Sequence, residues 1–154
     1  MTREATLQRI REALGDKVVD WFDKSEKRSY VEIRPEDVPD ATRLVFRELG
    51  ARFQIATGVD TPSAIEILYH WAFDKVNLLV TIRTKLDRDT PEIASLAGIC
   101  KGTEWIEREM WELLGITFHD HPDMRHLLLT DEWPEGQYPL RRDFVQPGKE
   151  GGEG

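Results

Sequence analysis

Residues 119 to 126 read HDHPDMRH, which sets His119, His121 and His126 beside Asp120 and Asp123. Imidazole and carboxylate groups are ligands for zinc, manganese or iron, so one chemistry open to this stretch is that of a small metal-dependent hydrolase. His119 and His121 point the same way only in an extended segment, and Pro122 favours an extended residue before it. A catalytic site ordinarily draws ligands from more than one element, however, and the remaining histidine, His70, falls on the polar face of a strand. The other reading is structural. Pro122 and Asp123 make a turn, and His121 hydrogen-bonds backbone there.

The stretch just before it, WIEREMWELLGITF, carries more. Thr103 is placed to cap a helix EWIEREMWELL and Gly115 to close it. Ile106, Met110, Leu113 and Leu114 form its apolar stripe. Glu104, Arg108 and Glu112 stand four apart, so Arg108 can bridge both carboxylates in a surface ladder worth about 0.3–0.5 kcal/mol per pair. Trp105 and Trp111 flank these charges, and aromatic residues beside arginine are favoured where one protein docks on another.

The elements that must position this helix precede it. Leu7, Ile10 and Leu14 recur at helical spacing in the first segment, which Gly15 stops. KVVDWF and RSYVEIR read as paired strands, and RPEDVPDATRLVFRELG as a second helix with Ala41, Leu44, Val45 and Leu49 on one face. The period then changes to two. ARFQIATG alternates, Ile65, Ile67, Tyr69, Trp71 and Phe73 alternate with Ala64, Glu66, Leu68, His70 and Ala72, and VNLLVTIRTKL returns after a tight turn at residues 74–75. The fold expected is α+β: a two-layer domain with helices on one face of a mixed β-sheet, followed by an irregular C-terminal arm. Residues 1–88 make the core and 89–147 the helix and arm of the same unit, with a short helical segment expected after Thr90 and Pro91. Residues 148–154, only glycine and charge, are expected to be disordered.

Composition narrows the function. The 154 residues carry a formal net charge of −8, which argues against nucleic acid or an anionic lipid surface as partner. The single cysteine, Cys100, cannot hold an iron–sulfur cluster, which takes about four thiolates. No stretch approaches the roughly 18 apolar residues of a spanning helix, and MTREATLQRIREALG is not a secretory signal. Membrane association is therefore expected to be indirect. No glycine-rich phosphate loop is present.

EWIEREMWELLGITFHDHPDMRHLLLTDEW, followed by PLRRDF, resembles the signature of the thirty-kilodalton subunit of respiratory NADH dehydrogenase, complex I. Trp105, Glu107, Arg108, Glu109, Trp111, Glu112, Gly115, Ile116 and Phe118 sit where that family places them. So do His121, Pro122, Asp123, Arg125, Trp133, Pro139, Leu140, Arg141 and Asp143. Asp120 stands in place of the family's glycine, and the link WPEGQYPLRRD is longer than usual. The compact chain is similar to the versions found in membrane-bound nickel–iron hydrogenases and related ion-pumping complexes. The resemblance implies a non-catalytic structural subunit in the hydrophilic, cytoplasmic arm of a membrane-bound redox complex, docked on the large hydrogenase-like subunit beside iron–sulfur subunits. The chain itself would hold no cofactor; iron–sulfur clusters, and nickel–iron in the hydrogenase-like cases, belong to its partners. The partner-binding residues so implied are Trp105, Glu107, Arg108, Glu109, Trp111, Glu112, His121, Asp123, Arg125, Arg141, Arg142 and Asp143. Of the three clustered histidines only His121 belongs to this pattern. Electron donor and acceptor are set by residues in other chains.

Overall fold

The computed structural model describes residues 1–146; the tail expected at 148–154 lies outside them. Helix α1 (Arg3–Leu14) starts where the Thr2 hydroxyl accepts the Ala5 N–H at 3.1 Å, and stops at Gly15 with φ 53°. Ile10 and Leu14 on its inner face are buried. Strands β1 (Val18–Ser25) and β2 (Arg28–Ile33) pair antiparallel, as the two β-rich runs suggest. Helix α2 (Val38–Thr42) runs on into a wider π-type turn at Arg43–Glu48, so the expected second helix is only partly α-helical. Its inner face is nevertheless the expected one, with Ala41, Leu44 and Val45 buried.

Strands β3 (Arg52–Asp60), β4 (Ile65–Phe73) and β5 (Leu78–Leu86) complete a five-stranded sheet in the order β1-β2-β5-β4-β3. All neighbours are antiparallel except β2 and β5, which makes the sheet mixed. The two-residue side-chain period then decides the layers. Val31, Tyr69, Trp71, Val80 and Ile82 face inward and are fully buried beneath the helices, with Phe46 and Phe53 against Trp71 at ring distances of 5.9 and 5.1 Å. The opposite face carries ion pairs, Arg83–Glu66 at 2.6 Å and Lys85–Glu32 at 3.2 Å, and His70, whose Nδ1 lies 2.8 Å from Thr81 Oγ1.

After residue 88 two expectations change. The short helical segment expected after Pro91 is strand β6 (Glu92–Ala94), and the supposedly irregular stretch after Ile116 contains its parallel partner β7 (Thr117–His119). Between them lies α3 (Glu104–Leu114). Strands of three residues have too short a run for either period to show, and their pairing joins residues far apart in sequence. Thr103 occupies the cap position of α3, but its hydroxyl donates to the Cys100 carbonyl at 2.9 Å rather than capping the helix.

Candidate functional site

Helix α3 rests on β3 through Met110 and Leu114, and Gly58 is what lets them approach, since a methyl there would collide with Leu114 Cδ1. One face of the helix is thereby committed. The charged residues take the flanks, and three of them are buried: Glu107 at 0%, Glu112 at 2% and Arg108 at 6% exposure.

Each buried charge grips backbone or side chain of this same molecule. Glu107 Oε2 accepts the Ser95 hydroxyl at 2.6 Å and its Oε1 the Leu96 N–H at 2.7 Å, which fixes the loop between β6 and α3. Burial pushes the Glu107 pKa up, and these donors only partly offset it. Arg108 donates from Nε to the Arg125 carbonyl at 3.0 Å and from Nη2 to the His126 carbonyl at 2.7 Å. One turn on, Glu112 accepts three successive backbone N–H groups, from Leu127 at 3.0 Å, Leu128 at 2.7 Å and Leu129 at 3.2 Å. Burial raises the pKa of Glu112, but the three donors and His126 outweigh it and the net shift is downward. Arg108 and Glu112 thus form a two-sided clamp. The cation takes the carbonyls of residues 125–126 and the anion takes the amides of residues 127–129.

The expected ladder from Glu104 through Arg108 to Glu112 is absent, because Arg108 turns to the arm's carbonyls and Glu112 to its amides. Glu107, Arg108 and Glu112 are thus buried and engaged within this chain, Glu107 with Ser95 and Leu96 and the other two with residues 125–129. Arg141 is similar. Its Nε donates to the Leu114 carbonyl at 2.6 Å and its Nη1 to the Arg88 carbonyl at 3.3 Å, while the Leu140 N–H takes the Leu113 carbonyl at 2.9 Å. Together they satisfy carbonyls that the end of a helix leaves without partners. Arg142 is held by its backbone, which donates to Asp60 Oδ2 at 2.8 Å, and Asp60 in turn pairs with Arg88 at 2.8 Å.

The histidines separate. His119 is exposed and faces Glu92 at 3.4 Å. The buried His121 ring donates from Nε2 to the Glu104 carbonyl at 2.9 Å, while Nδ1 accepts the Asp123 N–H at 3.0 Å. That arrangement fixes the Nε2–H tautomer and leaves no lone pair for a metal. His126 lies 3.2 Å from Glu112 and its ring leans on Trp111 at 5.2 Å, so it is part of the clamp rather than incidental. Among the described residues, no three His, Cys, Asp or Glu side chains converge as metal ligands. The three histidines of the hydrolase reading thus each meet a different partner, Glu92, the Glu104 carbonyl and Glu112.

What faces solvent is a different set. Trp105 is 67% exposed, Glu109 has no ion-pair partner among the described residues, Trp111 is partly exposed with the His126 ring 5.2 Å away, and Arg125 with Asp123 forms an exposed pair at 3.0 Å. Arg142 and Asp143 expose their side chains. Sequence reasoning missed Ser95, Asp60, Arg88 and the amides of Leu127–Leu129. Backbone donors carry no residue signature, and Asp60 and Arg88 stand far in sequence from what they hold.

The chain matches the family described as respiratory-chain NADH dehydrogenase, 30 Kd subunit, over residues 31–150. It is 31% identical over 145 residues to a subunit of the NADH-quinone oxidoreductase of Chelativorans sp. (strain BNC1), covering 90% of this chain and 70% of that one. It is 32% identical over 142 residues to a subunit of the F(420)H(2) dehydrogenase of Methanosarcina mazei, covering 88% and 89%. A further match, 40% identical over 94 residues, is an NADH-quinone oxidoreductase subunit of Rhizobium etli (strain CIAT 652), of which it covers 46%; the chain spans about half the length of several curated relatives it matches. Among solved structures, a chain of the membrane-bound sulfane sulfur reductase, an archaeal respiratory membrane complex, shares the fold with a TM-score of 0.81 at 22% identity, over 94% of this chain and 86% of that one. With its signature helix, its mixed sheet and a match across most of its length, the chain belongs to the family of the 30 Kd subunit of respiratory-chain NADH dehydrogenase.

Proposed function

We propose that this protein is a non-catalytic structural subunit in the cytoplasmic, peripheral arm of a membrane-bound redox complex, where it docks on the large hydrogenase-like subunit beside iron–sulfur subunits. The observation that carries this reading is the exposed apolar surface around α3. Trp105, on α3 itself, is 67% exposed, and Leu128 and Leu140, whose amides bond to Glu112 and to the Leu113 carbonyl, are 63% and 58% exposed. Large apolar side chains held rigidly at a surface are what an interface offers, because their ordering entropy is already lost before binding. Trp105, Glu109, Trp111, Asp123, Arg125, Arg142 and Asp143 are the side chains that face a partner; Glu107, Arg108, Glu112, His121 and Arg141 hold them in place. Redox chemistry would reside in clusters, and in a nickel–iron or quinone site, of the neighbouring chains. The relatives act in complexes named for different donors and acceptors, which fits a scaffold that touches neither.

The test is purification of the tagged chain from gently solubilised native membranes. Stoichiometric recovery of a hydrogenase-like large subunit and iron–sulfur subunits is expected, with recovery at least about tenfold lower for Trp105→Glu. Recovery of the chain alone, or an unchanged yield with Trp105→Glu, would overturn the reading of this surface.

A further inference from the structure

The two edges of the five-stranded sheet are built differently. Edge strand β1 carries Asp20, Asp23 and Lys24 and two register shifts, the charges and bulges by which proteins keep an edge from pairing. Edge strand β3 has one shift, at Gln54, and beyond it Ile55–Val59 contains no charge and no proline. Apart from its ladder with β4, no backbone group of β3 hydrogen-bonds to another described residue. Beside this bare edge runs a groove of about 220 Å³ between β3 and the outer side of α3, lined by Ile55, Ile106, Leu113 and Leu140, with Glu109 among its walls. Ile55 is 48% exposed.

We propose that the β3 edge receives an extended segment of the partner subunit as a sixth strand, with alternate apolar side chains seated in the groove on α3 and a Lys or Arg facing Glu109. The inference rests on the subunit reading above and specifies how the partner is held. Only an extended backbone can satisfy a row of alternating N–H and C=O groups, while the period-two alternation of its side chains places every second one over Ile106 and Leu113. The Glu109 carboxylate, which has no ion-pair partner among the described residues, selects a basic residue in the occupant on a chain of net charge −8. Residues 147–154, PGKEGGEG, carry no large apolar side chain to fill the groove. A second copy would bring two acidic chains together with an uncompensated Glu109 on each.

Amide hydrogen exchange distinguishes these occupants, comparing the chain alone with the complex recovered from native membranes. The outward amides of residues 53–59 are expected to slow at least about tenfold in the complex, with those of Asp20–Lys24 unchanged. Ile55→Lys, which supplies the missing edge charge at a half-exposed position, is expected to lower recovery of the complex by a similar factor without altering the thermal midpoint of the free chain. A complex that forms with exchange at residues 53–59 unchanged overturns the strand and leaves the subunit reading standing. Absence of any complex overturns both. Protection of residues 53–59 in the chain alone, with a dimer by light scattering, assigns the edge to a second copy instead.

Discussion

Glu107 and Glu112 sit on one helix, both sealed from solvent, and their environments push them in opposite directions. Around Glu107 desolvation wins, so the folded chain holds its proton at pH values where the unfolded chain, at an ordinary value of 4.5, has released it. Its effect is to lower stability as pH rises from 4.5 through the raised folded value. Around Glu112 the three amides win, so its contribution is present above 4.5 and is lost as pH falls through the lowered folded value. Replacing each by glutamine separates the two. Urea unfolding between pH 4 and 8 is expected to show Glu107→Gln gaining on the parent as pH rises, and Glu112→Gln losing about 3 kcal/mol at neutral pH, from charge-assisted hydrogen bonds removed and amides left short of an acceptor. Parallel pH profiles for all three proteins would show that neither carboxylate changes its ionisation between the folded and unfolded chain. The spacing of these acids and of Arg108 was legible in the sequence, and invited an ion-pair ladder. Their true partners were not, because a carboxylate that binds three consecutive amides needs no particular side chain at those positions.

At the scale of elements, what matters is how the C-terminal end of α3 meets the arm. Gly115 adopts φ 76°, closing the helix through its N–H to the Trp111 carbonyl at 3.0 Å, and the Tyr138 ring lies where a side chain would start, as close as 2.6 Å. Gly115→Ala therefore meets two obstacles, the left-handed backbone at about 1 kcal/mol and a ring that must move. A loss of about 2 kcal/mol in unfolding free energy is expected, with faster amide exchange at Leu140 and Arg141; a change in stability with exchange there unaltered would put the cost in the helix alone. Gly115 as the helix stop was readable, and so were the long strands, since Ile65, Ile67, Tyr69, Trp71 and Phe73 recur at every second position of β4 and all are buried. Strands β6 and β7 were not readable. Three residues each, they are strands only because α3, held by Glu107 and Arg141, brings them side by side.

The molecule as a whole joins two regions stabilised by different forces. The five-stranded sheet and its helices share an apolar core running from Ile10 to Phe118, which burial of apolar area stabilises over a wide pH range. The arm from Asp120 to Gln146 adds no residue to the fully buried part of that core; it is held by Arg108 and Glu112, by Arg141 on the end of α3, and by Asp60 under Arg142. Asp60 too has its carboxyl shifted downward, against its burial, by the Arg142 amide and Arg88. Two of these fastenings, Glu112 and Asp60, are thus carboxylates whose contribution disappears on protonation, while the sheet loses little. On acidification the arm should release before the sheet unfolds. Hydrogen exchange followed from pH 7 to pH 3, corrected for intrinsic rates, is expected to show the amides of Leu127–Leu129 opening at a higher pH than those of β4 and β5. The surface offered by Trp105, Leu128 and Leu140 would lose its fixed geometry at the same point, so recovery of the assembled complex should fall with the arm rather than with the sheet. Coincident opening of the arm and of β4–β5 would instead mean that clamp and core are one cooperative unit, and that the arm is as much part of the fold as the strands beneath it.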